Sequence, residues 1–366
     1  MKVGYSYLAK QFADPDAILA DIKALVISGD FTLGKATVEF EDKFAKLIGC
    51  NYAIGVNSGT DALFLSLKAL GIGVGDEVIT TANTFVATVG AIETSGARTV
   101  FVDCNEKYVM DTSQLESVIT DKTKAIMPVH YAGQPVNMKE VMAVAKKYNL
   151  EVIEDACCAI GASFDNQNCG TIGATGAFSL HPLKNLNVWG DGGVITTNSK
   201  EIRDKLHLLR NHGMVDRDHY AEYAYNSRLD SLQAIVGNHL ISDVGWITQQ
   251  RIKHAQKLDL AFKGLSQVIT IPPKAINEKC VYHMYMILVE NRDALNEHLK
   301  SKGISSKIHY PIPLHLQQAS QHLGYKLGDF PVAESQAKNI ITLPVHQHLT
   351  ADEINYMIEK VNEFYL

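Results

Sequence analysis

Glu151-Val-Ile-Glu-Asp155 is a short run with a β-branched centre that ends on carboxylates, and the residues on either side of it decide the fold. Upstream, β-branched runs recur at Ala53–Val56, Glu77–Thr80, Thr99–Val102 and Ala125–Val129. Helical patterns at Asp61–Leu70, Met138–Tyr148 and Lys200–Leu209 lie between or after them. Strands that alternate with helices argue for an α/β layer on a mainly parallel sheet. Ala177–Ser179 and Gly193–Thr197 read as two more strands around a loop. A long helical pattern runs from Ser227 to about Lys263, and the character then changes. Val281–Val289, a helix over Arg292–Lys302 and a strand over Ile304–Ile308 suggest a smaller α+β unit. The expected division is a large domain over 1–245 and a small C-terminal domain over 246–366.

The chain has 366 residues, more than one compact core usually holds, and 46% of them are apolar. The net charge of -6 argues against a nucleic-acid binder that works through a basic surface, and no polybasic run suggests a membrane dock. Six cysteines occur without a CxxC pair or secreted-domain spacing, and the N-terminus has no apolar signal core. A reduced, cytoplasmic setting is the expectation.

The loop between the last two strands is Ser179-Leu-His-Pro-Leu-Lys184-Asn-Leu-Asn-Val-Trp-Gly190-Asp-Gly-Gly193. A lysine used as a nucleophile must be partly desolvated, and Leu180, Pro182, Leu183 and Trp189 supply apolar surroundings. Gly190, Gly192 and Gly193 would let backbone approach a ligand closely. Asp155, at the end of an apolar strand, is costly unless it meets a cation. Pyridoxal phosphate satisfies both: the lysine forms a Schiff base with its aldehyde, and the aspartate keeps its ring nitrogen protonated. Asn57-Ser-Gly-Thr-Asp61 follows a strand and opens a helix, which suits a phosphate; an ordinary N-cap is the alternative. Phe85 could lie flat on a planar ring or belong to the core. His309, His315, His322, His346 and His348 lack a ligand spacing, so no metal is expected. Gly71-Ile-Gly-Val-Gly75 precedes a strand, unlike a dinucleotide loop.

With these motifs in order, the chain resembles the pyridoxal-phosphate-dependent sugar aminotransferases of the DegT-like group, which have the aspartate aminotransferase fold type I. The likeness runs from about Leu33 to about Thr350. It includes Gly75-Asp-Glu-Val-Ile79, Thr84-Phe-Val-Ala-Thr88, Pro128-Val-His-Tyr-Ala-Gly-Gln-Pro135, Arg210-Asn-His-Gly213 and His309-Tyr-Pro-Ile-Pro-Leu-His315. The resemblance implies that Lys184 carries the cofactor and Asp155 partners its ring nitrogen. It also implies that Gly59, Thr60 and Ser179 hold the phosphate and that Phe85 stacks on the ring. Asn226, with Arg228 in the same loop, would reach the phosphate of a second subunit, so a homodimer with shared sites is expected. Glutamate would donate the amino group, held meanwhile as pyridoxamine phosphate, to a keto or aldehyde sugar.

Departures from the family pattern matter. Family members usually have Gln or His three residues after the aspartate, near the cofactor hydroxyl; here Cys158 stands there, and a thiol is a weak donor. The opening Tyr5-Ser-Tyr-Leu-Ala-Lys-Gln-Phe12 is also unusual. A dehydratase branch replaces the lysine with histidine, and non-catalytic regulators lose the lysine or aspartate; this chain keeps Lys184 and Asp155. The opening, with Gly29–Gly34 and Leu208–Gly213, is most similar to a sub-branch that includes aminotransferases making 8-amino-3,8-dideoxy-manno-octulosonate for lipopolysaccharide. Lys307 and Arg228 are then candidates for that sugar's carboxylate, with His309 in the pocket. A nucleotide-linked keto hexose is the rival substrate.

Overall fold

The protein is described by a computed structural model of residues 1–366, the side chain of Ile269 excepted. Seven strands form the main sheet: β1 (Tyr52–Val56), β2 (Glu77–Thr81), β3 (Arg98–Val102), β4 (Thr123–Ile126), β5 (Glu151–Asp155), β6 (Thr175–Ser179) and β7 (Gly193–Thr197). Their order is β1-β7-β6-β5-β4-β2-β3. Only β7 runs against its neighbours; the other contacts are parallel. This is the mainly parallel α/β sheet of fold type I.

Parallel strands need cover on both faces, and the side chains alternate accordingly. Ile79, Ile126 and Val152 enter one core, while Val78, Ala125 and Ile153 enter the other. The strands β1, β2, β4, β5 and β6 therefore end on one edge, where ligands of such sheets bind. The helix Gly59–Ala69 leaves β1 at that edge, and Val86–Ser95 leaves just after β2. The second of these helices carries no amphipathic signal: its buried residues include Thr88, Val89, Ala91, Ile92 and Ser95.

The long pattern from Ser227 is not one helix. Ser231–Leu240 and Val244–Phe262 are separated by a 3-10 turn at Ile241–Asp243. Beyond it, β8 (Val268–Thr270), β9 (Tyr285–Val289) and β10 (Ile340–Leu343) form an antiparallel sheet in that order. Leu295, Leu299, Ile354, Met357 and Val361 cover it from two helices, and Val3 from the start of the chain joins the same core. The strand expected over Ile304–Ile308 does not form. Only single bridges, Val3 with Ile304 and Lys307 with Thr342, pair this segment. Ser306 instead turns inward to donate to Asn296 Oδ1 at 2.8 Å.

Candidate active site

A cleft of ≈ 390 Å³ opens at the C-terminal edge of the parallel strands. Three backbone segments converge at one end of it. Ser58 caps the helix Gly59–Ala69, its hydroxyl accepting the Asp61 N–H at 3.0 Å. The N–H groups of the first turn beyond the cap have no partner within the helix, and the helix dipole favours an anion there. Gly59 has no room for a side chain: a Cβ would lie 2.7 Å from the Ser179 Cβ and 3.0 Å from the Cys157 Sγ. Gly193 is equally confined, since a Cβ there would come within 2.2 Å of the Ser58 carbonyl. Thr60 and Ser179 line the same end of the cleft.

Asp155 closes β5 at 5% exposure. Thr88 donates to its Oδ2 at 2.7 Å, and the Cys157 N–H to its Oδ1 at 3.1 Å. Thr88 in turn shares a 2.9 Å hydrogen bond with Thr84. The carboxylate is therefore fixed in direction by two neutral donors, and among the described residues it forms no salt bridge. Thr88 was not singled out from the sequence, although Thr84 and Thr88 stand four residues apart around a helix start, a spacing that puts them on one face. The neighbouring Glu154 serves structure. It is fully buried, and it accepts from the backbone of Gly170, Ile172 and Gly173 at 2.7–2.8 Å. His130 Nε2 meets it at 2.9 Å, while His130 Nδ1 accepts the Val136 N–H at 3.1 Å.

Lys184 faces this carboxylate from the loop between β6 and β7, and its Nζ lies 3.1 Å from the Cys158 Sγ. Burial pushes its amine down, but Cys158, Cys157 and Asp155 outweigh burial and hold it above the ordinary lysine value. Phe85 lines the cleft at 53% exposure, its ring 6.0 Å from that of Tyr310. His309 also lines it, sharing a 2.9 Å hydrogen bond with Thr342. Burial, with Lys307 and Lys184 nearby, pushes His309 down to about 4, so it is neutral at pH 7.

Three sequence candidates are not brought to this cleft. Asn226 is exposed, and its backbone pairs with that of Asn211. Arg228 donates to Asn211 Oδ1 at 2.8 Å. Lys307 is exposed on the segment that bridges to Thr342. Conversely, Tyr5, Tyr131, His283 and Tyr310 line the cleft without having been assigned a place there. They come from distant loops; Tyr131 and Tyr310 lie in motifs of the resemblance and Tyr5 in the unusual opening, but no spacing ties any of them to Lys184. Of the other histidines, His315 meets Glu334 at 3.0 Å and His322 meets Glu93 at 2.7 Å. Among the described residues, no helix is long and apolar enough to cross a membrane.

The side chains fit pyridoxal phosphate. Gly59 and Gly193 keep a cradle free of side chains at a helix N-terminus, as a phosphate requires. A buried carboxylate with no salt bridge among the described residues suits a cationic ring nitrogen, and the Lys184 amine stands across the cleft from it.

Comparison with known proteins agrees with this geometry. The family model described as DegT/DnrJ/EryC1/StrS aminotransferase family matches residues 14–362. A pleiotropic regulatory protein of Geobacillus stearothermophilus is 39% identical over 350 residues, covering 95% of this chain and 94% of the relative. The UDP-N-acetyl-3-dehydro-alpha-D-glucosamine 3-aminotransferase of Acidithiobacillus ferrooxidans is 39% identical over 340 residues, covering 93% and 91%. The crystal structure of DesV from S. venezuelae, solved in complex with a ketimine intermediate, superposes with a TM-score of 0.96 at 34% identity. It covers 100% of this chain and 98% of that one.

Proposed function

Because the chain belongs to the DegT/DnrJ/EryC1/StrS aminotransferase family, whose sugar aminotransferases use pyridoxal phosphate, we propose that it transfers an amino group from glutamate to a nucleotide-linked 3-keto hexose. That it is a pyridoxal-phosphate-dependent sugar aminotransferase follows from the family. The donor, the sugar and the residue roles are our reading.

The observation that carries this reading is the pairing of Lys184 with Asp155 across one cleft, with the Gly59 cradle at its end. When bound, pyridoxal phosphate supplies an aldehyde that takes up the amino group and a protonated ring that accepts electron density. Lys184 would hold the cofactor and, once released, would move the proton between the substrate carbon that bears the amino group and the cofactor. Asp155 keeps the ring nitrogen protonated, and Thr88 aims the carboxylate. Gly59, Thr60 and Ser179 receive the phosphate, Phe85 covers the ring, and Cys158 stands beside the amine. His309, neutral and turned toward Thr342, offers the sugar a hydrogen bond rather than a charge.

A nucleotide-linked sugar is favoured by the named activity of the Acidithiobacillus relative. The octulosonate alternative needs a cation for its free carboxylate. Lys307 and Arg228 are the candidates for it, and a nucleotide diphosphate would attract the same cations, so charge does not separate the two substrates. Retention of Lys184 and Asp155 favours amino transfer over dehydration and over a purely regulatory role. We further propose a homodimer in which Asn226 and Arg228 serve the partner's site. Exposed Val215, Tyr220 and Tyr223 on the preceding segment support such an interface. The six free thiols suit a cytoplasmic enzyme of lipopolysaccharide or other surface-glycan synthesis.

Purified enzyme given glutamate and UDP- or dTDP-linked 3-keto and 4-keto hexoses, or 3,8-dideoxy-8-oxo-octulosonate, should aminate a 3-keto nucleotide sugar by mass spectrometry. Amination of the octulosonate alone overturns the substrate assignment; amination of none overturns the proposed function.

A further inference from the structure

The loop that carries Lys184 is held at its ends by its own backbone. The Leu180 N–H donates to the Gly192 carbonyl at 2.8 Å and the Val188 N–H to the Leu180 carbonyl at 2.9 Å. The carbonyl of Lys184 itself is held by side chains. Tyr7 donates its phenol to it at 2.7 Å, and Asn187 donates Nδ2 at 3.0 Å. From Asn187 the bonds continue in one direction. Gln11 Nε2 donates to Asn187 Oδ1 at 2.8 Å, Gln347 Nε2 to Gln11 Oε1 at 2.8 Å, and Arg251 Nε to Gln347 Oε1 at 3.1 Å. Tyr7, Asn187, Arg251 and Gln347 are buried. Arg251 is anchored by two further carbonyls, those of Tyr282 and His283, both at 3.2 Å, and its guanidinium lies 5.3 Å from the centre of the Tyr7 ring.

Every donor in this chain points from the guanidinium toward the lysine. A buried cation at the head of a run of amides polarises each bond in turn and disfavours flipping any single amide. The run also joins three parts of the molecule: the N-terminal segment, the Lys184 loop, and the stretch after β10 that belongs to the C-terminal unit.

We infer that Tyr7, Asn187, Gln11 and Gln347 are positioning residues: with Arg251 they form a directional hydrogen-bond relay that fixes the Lys184 backbone against the C-terminal unit. The inference rests on the proposed role of Lys184, so its test includes a separate check of that role.

Gln347→Glu is the sharp probe. A glutamate there accepts from Arg251 as a charged pair and should not lower stability. It cannot donate to Gln11, so Gln11 must turn its own Nε2 toward position 347, Asn187 must follow, and an amide oxygen then faces the Lys184 carbonyl. Tyr7→Phe keeps the ring and removes one donor. In the holoenzyme both variants should lose roughly tenfold in kcat with KM within about twofold, because a lysine displaced by a fraction of an ångström misaligns the proton transfer. The pH midpoint of the visible absorption of the lysine-bound cofactor should move by about half a unit in both. Borohydride followed by peptide mapping should still label Lys184. Parental kcat and an unmoved midpoint in both variants overturn the relay, as does a lowered Tm with unchanged kcat. Should Gln347→Glu not fold, Tyr7→Phe decides alone. A label on another lysine overturns the proposed role of Lys184, whatever the variants do.

Discussion

The amine of Lys184 lies 3.1 Å from the thiol of Cys158, three residues after the aspartate that faces it. The amine donates and the sulfur accepts, and sulfur is a weak acceptor, so this contact orients the amine loosely compared with a glutamine amide oxygen. Cys158→Gln should keep activity within about threefold and tighten cofactor binding by a similar factor, in line with one improved hydrogen bond. Equilibrium dialysis with pyridoxal phosphate reads the second effect, and unchanged or weaker binding refutes it. Lys184→Ala, in contrast, should abolish transfer while leaving the circular dichroism spectrum intact.

Asp155 is aimed by Thr88, and the two can be separated by mutation. Asp155→Ala should bind the cofactor weakly and lose at least about a hundredfold in kcat, since an unprotonated ring is a poor electron sink. Thr88→Val keeps the charge and removes one donor, so a loss of roughly tenfold is expected. Steady-state kinetics at saturating cofactor distinguish them. Near-normal turnover in Asp155→Ala would show that another residue partners the ring.

Much of this architecture is legible along the chain, and the reason is periodicity. Buried parallel strands such as β2 and β5 announce themselves as β-branched runs, and Met138–Tyr148 shows a clear apolar stripe with Asn137 as its cap. The helix Val86–Ser95 is silent because it is packed on more than one side, so its pattern has no polar face. The site divides the same way. Lys184, Asp155, Gly59 and Ser179 sit at strand ends or in a glycine-rich loop, where local sequence carries the signal. Tyr5, Tyr131 and His283 reach the cleft from loops far apart in sequence, and only the fold brings them there. The Gln11–Gln347 contact spans 336 residues and leaves no local trace.

Stability should depend on pH through buried neutral histidines. His346, buried and close to Arg251, is pushed down to about 3, and His309 down to about 4. Between pH 6.5 and these values the unfolded chain binds protons that the folded chain refuses. Their stabilisation is therefore complete above about pH 6.5 and lost progressively as pH falls toward 4. Each group contributes on the order of 1–2 kcal/mol across that window once partial solvent contact is allowed for. Calorimetric Tm should fall from pH 7 to pH 4.5, and His346→Gln should flatten that slope. An equal slope in the variant assigns the acid sensitivity elsewhere.

Shared sites make a quantitative prediction. Ser227 ties the 226–228 loop to the helix after β1, donating to Asp61 Oδ2 at 2.7 Å, while Asn226 stays exposed beyond it. If that asparagine and Arg228 complete the partner's phosphate site, the Lys184→Ala chain and the Asn226→Ala/Arg228→Ala chain carry defects in different halves of each site. Unfolded and refolded together at equal amounts, half of the dimers should be mixed under random pairing. In a mixed dimer one site collects both defects and the other collects none. About a quarter of parental activity should therefore return, although each parent chain alone is nearly inactive. Sites completed within one subunit would return no activity on mixing, and that outcome would place the defect of Asn226→Ala/Arg228→Ala within its own subunit and overturn the shared site.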